Sequence, residues 1–370
     1  MKSKLFPAIA TLTGTAMGAG FLGMPYVIAR AGFVIGLAYI ILIGLIMMFV
    51  NLYLGEIALR TKEDHQLTGY AERYLGSWGK WIMFFAMLFG IYSALIAYLI
   101  GQGESLSFLF FGNTSYSLIF GFLFWLFMSF LVYKGLRMLK KGESIGLILV
   151  LVLIFFIFFF FVGKINLDNL TYFNKEFLFL PFGVVLFSFL AFSVLPELEF
   201  VLKGQENKMR KAIVIGSLIP IFVYSIFTFV IVGSLGLQVP EIATLALGKI
   251  FIFLGMITMF TAFFALSSVL RDMYRLDFHF TKKKAWLAAC IVPLILFVFI
   301  QIFDLVSFTQ ILALGGIISG GLTGILILLM IREAKKQGDR KPEYSLPLNW
   351  ILILLILLLF LVGVFIEIFV

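Results

Sequence analysis

Residues 13–26 read Thr13-Gly14-Thr15-Ala16-Met17-Gly18-Ala19-Gly20-Phe21-Leu22-Gly23-Met24-Pro25-Tyr26, inside an apolar run that extends from about residue 5 to residue 30. The run is long enough to cross a bilayer, which takes about 20 residues. Four glycines in the middle remove the steric penalty for leaving helical geometry. Pro25 deletes an N–H and crowds the preceding turn. Together they predict a helix that breaks near Gly18-Ala19-Gly20. Irregular backbone inside a membrane must be buried in protein or line a cavity. The break would leave N–H groups at the start of the second half-helix, and these, with the helix dipole, form a site for an anion such as a carboxylate. Close helix packing is the other use of such a pattern, because Gly14-x-x-x-Gly18 lets two backbones touch.

A second interrupted span decides between the two. Residues 179–202 contain Pro181-Phe182-Gly183 and, fifteen positions on, Pro196-Glu197-Leu198-Glu199. Proline is favoured at the start of a helix, and acids in its first turn. A half-helix therefore starts at Pro196. Two broken spans at matching positions of two halves point to the binding site of a transporter.

The rest of the chain agrees. Apolar residues make up 62% of it and charged residues 13%, against about 45–50% and 25% in soluble domains. Spans are expected near 5–30, 32–58, 80–101, 115–134, 144–163, 179–202, 212–235, 243–270, 285–303, 306–331 and 348–369. The loop 59–79 carries Thr68-Gly69-Tyr70-Ala71-Glu72-Arg73, suited to a short surface helix. Lys and Arg cluster in alternate loops: Lys2 and Lys4; Arg60 to Lys80; Lys134 to Lys141; Lys203 to Lys211; Arg271 to Lys284; Arg332 to Lys341. By the positive-inside bias these face the cytoplasm. The N-terminus is then cytoplasmic, the C-terminus external, and the chain a multi-pass protein of the cell membrane. A cleaved signal peptide is the competing reading of the first run, but the apolar stretch exceeds the usual length of such a segment.

Several classes are excluded. The charge of +9 sits in loops rather than on one basic face with interleaved aromatics, so no nucleic acid partner is expected. His65 and His279 lie in separate loops and Cys290 stands alone, so no metal cluster, disulfide or cofactor is expected. Asp277 with His279 is a weak candidate for enzymatic chemistry, exposed and in basic surroundings.

The quoted first-span residues resemble the first-helix signature of the amino acid/auxin permease group and the related bacterial aromatic and hydroxy amino acid permeases. Pro181 to Leu198 resembles their sixth helix, and Ala97 to Glu104 the end of their third. The resemblance covers nearly the whole chain. It implies the amino acid–polyamine–organocation superfamily fold in one transmembrane domain, 1–370: an all-α architecture of two inverted five-helix repeats, about 5–163 and 179–331, with an extra helix at 348–369. Ala191 departs from the glycine that many relatives carry in the sixth-helix break.

The resemblance implies a substrate carboxylate at Gly18, Ala19 and Gly20, next to Thr15, and an ammonium at carbonyls around Phe187, Ser188 and Phe189. Met17, Phe21, Tyr92, Phe187, Phe189 and Phe192 would form an apolar wall. That wall suits neutral amino acids, aromatic or large aliphatic, because an unpartnered buried charge is costly. In sodium-coupled members, hydroxyls of the eighth helix and carbonyls of the first hold the ion; here these are Ser267, Ser268, Gly14, Met17 and Phe264. Span 144–163 has no Lys or Arg to replace that ion. The aromatic permeases are proton-coupled, and Glu197 or Glu199 would serve as proton or gating groups. The coupling ion is therefore sodium or a proton. A sensor of the same fold, binding an amino acid without transporting it, is the alternative function.

Overall fold

A computed structural model describes residues 3–63, 65–135, 139–348 and 350, with scattered positions from 353 to 363; side chains at 139–146 are outside that description. Among the described residues there are helices and turns and no strand. The first span is two half-helices, α1 (Leu5–Ala16) and α2 (Gly20–Ala31), bent by 50°. The second is α3 (Phe33–Arg60). The loop after it holds α4 (Leu67–Leu75), whose buried Leu67, Tyr70, Ala71 and Tyr74 seat it against the bundle. Then come α5 (Ser77–Phe111), α6 (Ser117–Lys134), α7 (Leu139–Phe161) and, in the connection, α8 (Leu167–Thr171). The sixth span is again split, into α9 (Pro181–Ser188) and α10 (Leu195–Leu202). Four long helices follow: α11 (Met209–Leu235), α12 (Lys249–Leu276), α13 (Lys282–Phe303) and α14 (Phe308–Gln337). Among the described residues nine helices are long and apolar enough to cross a membrane, or ten when the bent first pair is taken as one span.

The helices pack as two related sets. The first span lies on the fifth and the sixth on the tenth; the third packs on the fourth and the eighth on the ninth; the fifth meets the eighth and the tenth the third. Each contact recurs five spans later, as two five-helix units of one design require. The two broken spans cross at the centre, where α2 packs against α9.

The third span, expected at 80–101, runs on to Phe111, and the eighth is displaced at both ends. It was expected at 243–270 but runs from Lys249 to Leu276. Residues 243–246 form a 3-10 turn, and Gly248 at φ 99° stops it. At the other end the helix continues through Arg271, whose guanidinium is taken up by Asp272 and the Val132 carbonyl, and through Arg275. The expected span at 348–369 lies largely outside the described residues, as do Lys2 and Arg137. Two of its described positions touch the bundle: Phe360 lies against Gly324, and Gly363 against Phe182.

The basic loops meet at one end of the bundle. Lys4 reaches the Lys203 carbonyl, Arg73 pairs with Asp339, and Arg271 donates to the Val132 carbonyl. Glu56 organises this end. The sequence suggests a solvated end residue, yet Glu56 is fully buried. Its carboxylate accepts from Arg60 Nε at 3.0 Å, Lys335 Nζ at 2.6 Å, Ser345 Oγ at 2.9 Å and the Leu346 N–H at 2.8 Å. It thereby ties α3 to the end of α14 and to the segment after it. Removing one member of a buried ion network leaves the others uncompensated, which costs about 3–5 kcal/mol. Glu56→Ala is expected to lower the thermal unfolding temperature of the purified protein by several degrees or to prevent its accumulation; an unchanged unfolding temperature would show that the network contributes nothing.

Candidate functional site

The backbone leaves the helix at Met17 (φ −82°, ψ 50°) and resumes it at Gly20. Both glycines of the break are required by close approach. A Cβ on Gly18 would overlap the Tyr98 hydroxyl, and one on Gly20 would overlap the Ser188 side chain and come within 2.9 Å of its Cα. The Tyr98 hydroxyl stands against Gly18, beside the Ala19 N–H. The Gly20 and Phe21 N–H groups have no backbone acceptor among the described residues. The positive end of α2 and the Tyr98 hydroxyl thus converge on one point, the arrangement a carboxylate needs.

The sixth span unwinds from Phe189, and after a 3-10 turn at Phe192–Val194 the helix restarts at Leu195, one residue before Pro196. Ala191 therefore does not prevent the break. Between the two breaks stands Tyr224 of α11, fully buried, whose hydroxyl lies 2.8 Å from the Ala16 carbonyl and 3.0 Å from that of Ser188. This alters the expected ammonium site. The Ser188 carbonyl is engaged by Tyr224, and that of Phe187 accepts from the Leu190 N–H. The carbonyls of Phe189 and Leu190 accept no backbone hydrogen bond among the described residues.

A cavity opens at this crossing, between the first, third, sixth, eighth and tenth spans. Of the residues expected at the site, Thr15, Gly18, Gly20, Phe187 and Phe192 line it. Others are placed elsewhere. Phe21 turns away to stack on Tyr224, ring centroids 5.8 Å apart, and meets Phe227 edge-on. Phe189 packs on the same tyrosine from the other side. Ser188 lies against Gly20 but bonds its hydroxyl back to the Val184 carbonyl. Tyr92 is out of the site: its hydroxyl reaches the Ala288 carbonyl at 2.9 Å and Tyr274. The tyrosine at the site is Tyr98, six residues on. Six residues turn a helix by about 600°, so the two side chains leave different faces. Gly90, Ser193 and Ser319 also line the cavity and were not expected. No spacing in the sequence marks them; Ser319 shows only by its contact with Gly90 across two spans.

Comparison with known proteins agrees with this geometry. A family model for the tryptophan/tyrosine permease family matches residues 1–244. The chain belongs to that family. Its members are transporters rather than enzymes, and named relatives of this permease are amino acid transporters. It is 28% identical over 244 residues to "Glutamine transporter 2" of Aliivibrio fischeri, covering 64% of this chain and 62% of that one. It is also 28% identical over 246 residues to "Tyrosine-specific transport system 2" of Haemophilus influenzae, covering 64% and 59%. The match thus spans about three fifths of these relatives' length. Among solved structures, MhsT in complex with L-phenylalanine superposes with a TM-score of 0.71 over 98% of this chain and 96% of that one, at 16% identity. The fold of this permease is therefore the inverted five-plus-five transporter fold.

The permease has a second opening on the other side of α1. Gly14 and Met17 line a small crevice with Thr258, Thr261, Ala262 and Ala265 of α12 and residues of α7. A Cβ on Gly14 would meet nothing within 4 Å. The hydroxyls facing the first span here are those of threonine, not of Ser267 and Ser268. Ser267 is fully buried with its hydroxyl unpartnered, while Ser268 and Phe264 line the vestibule described next. Thr261 and Ser268 are seven residues apart, which is one helix face but about 10 Å in height. Sequence spacing identifies that face and cannot set the height.

The vestibule lies at the basic-loop end. Ser193 borders both it and the central cavity. Glu197 and Glu199 of α10 stand on one wall, and Lys134, Arg271, Arg275 and Lys282 on the other. Glu199 accepts a hydrogen bond from the Tyr70 hydroxyl at 3.1 Å. Arg271 is held by Asp272. Asp277 accepts from Thr68, and its burial raises its carboxyl above the ordinary range. That contact pins α4 to the end of α12, a structural use in place of the enzymatic one considered from sequence. At the opposite end the spans are tied together: Gln102 Nε2 donates to the Met256 carbonyl at 2.7 Å, and the Thr309 N–H to Glu241 at 3.0 Å.

Proposed function

We propose that the permease is a secondary active transporter of neutral amino acids, with aromatic or large aliphatic side chains favoured, working by alternating access. The observation that carries this reading is the convergence of the α2 N-terminus and Tyr98 on one end of a cavity whose remaining wall is mostly apolar, with the neutral hydroxyls of Thr15, Ser193 and Ser319. The carboxylate binds at Gly18, Ala19 and Gly20 with Tyr98; the ammonium meets the open carbonyls of Phe189 and Leu190; the side chain lies among Met87, Ile91, Phe187 and Leu190. Among the described residues no Asp, Glu, Lys, Arg or His lines the cavity, so a charged side chain would be buried without a partner. The vestibule that borders the cavity at Ser193 supports transport over sensing, since a wide opening next to the site on one side is one half of an alternating-access cycle. By its basic loops that face is the cytoplasmic one, with the N-terminus on it.

The coupling ion is sodium or a proton. The crevice between Gly14, Met17 and Thr261 offers hard oxygen ligands, and Glu197 and Glu199 offer protonatable groups on the release path.

Competition binding tests the substrate assignment. Tyrosine, tryptophan and leucine are expected to displace one another, whereas lysine, glutamate and the amides of the neutral amino acids compete at least about a hundredfold more weakly. Tyr98→Phe removes a hydrogen bond to a charged group, worth about 1.5–3 kcal/mol, and is expected to weaken binding roughly ten- to a hundredfold. Amides that compete as well as the acids would remove the carboxylate from this position.

A further inference from the structure

A small cavity behind the substrate site has no role in the account above. It lies on the face of α1 opposite the Thr261 crevice, enclosed by Leu12 and Ala16 of α1, Asn51 of α3, Phe189 and Ala191 of the unwound sixth span, and Ser217 of α11. Asn51 is 3% exposed and Ser217 7%. The Asn51 Oδ1 and Ser217 Oγ atoms are fully buried and have no hydrogen-bond partner among the described residues. Native interiors leave few polar atoms in that state, and each calls for an unseen water or ion. Two such atoms on two different helices face one space, which is just large enough for a single water-sized particle.

The Gly216 carbonyl on the cavity wall, which Pro220 leaves without an N–H donor, is already taken by Thr13 Oγ1 at 3.1 Å. Two features identify the particle. Two helices end here. α1 terminates at Ala16 and α9 at Ser188, next to Phe189. Their C-terminal carbonyls make both ends negative, and a helix C-terminus attracts a cation. Finally, the polar lining is made of amide, hydroxyl and carbonyl groups, with no carboxylate and no titratable side chain. A proton has nothing to bind, and a divalent ion lacks the anionic ligands that balance its charge.

We infer that this cavity binds one small monovalent cation, of the size of sodium, through Asn51 Oδ1 and Ser217 Oγ, beside the C-terminal ends of α1 and α9. Its position ties ion occupancy to the relative placement of the two breaks, since Ala16 and Phe189 lie at both the ion and the Tyr224 bridge. The site is separate from the Gly14–Thr261 crevice, and its test uses no amino acid, so it stands or falls independently of the substrate assignment.

The test measures binding of radioactive sodium to the purified full chain in detergent, and its unfolding temperature in sodium chloride against choline chloride at equal ionic strength. Wild type is expected to bind sodium saturably and to unfold several degrees higher in sodium, because a ligand that binds the folded state alone stabilises it. Ser217→Ala, a one-atom change, is expected to weaken sodium binding about ten- to a hundredfold. Asn51→Leu should do the same. Asn51→Asp, which places a full negative charge beside the ion, should tighten it; this variant keeps the test informative if Asn51→Leu fails to fold. Absence of saturable sodium binding in wild type would show a water-filled cavity and overturn the inference. So would sodium binding that Ser217→Ala and Asn51→Asp leave unchanged, or binding lost only in Thr261→Val, which would move the ion to the crevice.

Discussion

Gly20→Ala is expected to abolish amino acid binding while the protein remains folded. The added methyl has no room: it would overlap the Ser188 side chain and lie 2.9 Å from the Ser188 Cα. The Cα belongs to the backbone of α9 and cannot rotate aside, so the two half-helices must part. Overpacking of this kind costs roughly 1–3 kcal/mol of stability, which a protein of this size tolerates. The effect on the site is larger. The N–H groups of α2 and the open carbonyls of the sixth span are positioned against each other by this contact, and a displacement of about 1 Å in a positioned site costs on the order of a hundredfold. Equilibrium binding and the unfolding temperature, measured on the same preparation, separate the two. A variant with wild-type affinity would show that the breaks do not need to touch.

Tyr224→Phe is expected to uncouple the breaks without disturbing the packing around them. The ring keeps its stack on Phe21, with planes 5° apart, so little apolar contact is lost. The hydroxyl that spans Ala16 and Ser188 disappears. The Ser188 carbonyl is then buried with no donor, at a cost of about 1–3 kcal/mol, and the end of α1 is no longer tied to the end of α9. Uptake is expected to fall at least about tenfold, with the unfolding temperature lowered by a few degrees. Full uptake by the variant would mean that the bridge is not used during transport.

The architecture was legible because the membrane makes strong demands. Runs of apolar residues, with basic loops between them, place eleven spans, of which the described residues contain ten when the bent first pair is taken as one, and the short helix over Leu67–Leu75 follows from its polar loop. Both breaks were visible in Gly18-Ala19-Gly20 and Pro196, since close helix packing explains the glycines alone but not two interrupted spans at matching positions of two halves. What could not be read was rotation and height. Tyr92 and Tyr98 are equivalent in composition and differ only in the face they leave. Ser268 and Thr261 share a face and differ by two turns. Phe21 and Phe189 belong to the breaks, yet both turn back onto Tyr224, a residue that nothing in its own helix singles out. Glu56 was misjudged for a related reason: its four partners lie on α3, on α14 and in the segment beyond it, and no local pattern joins them. Contacts between distant spans decide such questions, and a single sequence holds no record of them.

The central claim is that an amino acid bound at the crossing of the two breaks is carried across the membrane. Uptake of labelled tyrosine, tryptophan and leucine into proteoliposomes containing the purified permease tests it directly, first with a sodium gradient at fixed pH and then with a pH gradient without sodium. The account predicts accumulation above the external concentration under at least one gradient, blocked by excess unlabelled neutral amino acid and absent in Gly20→Ala. Saturable binding with no accumulation under either gradient would contradict it and would make the protein a sensor.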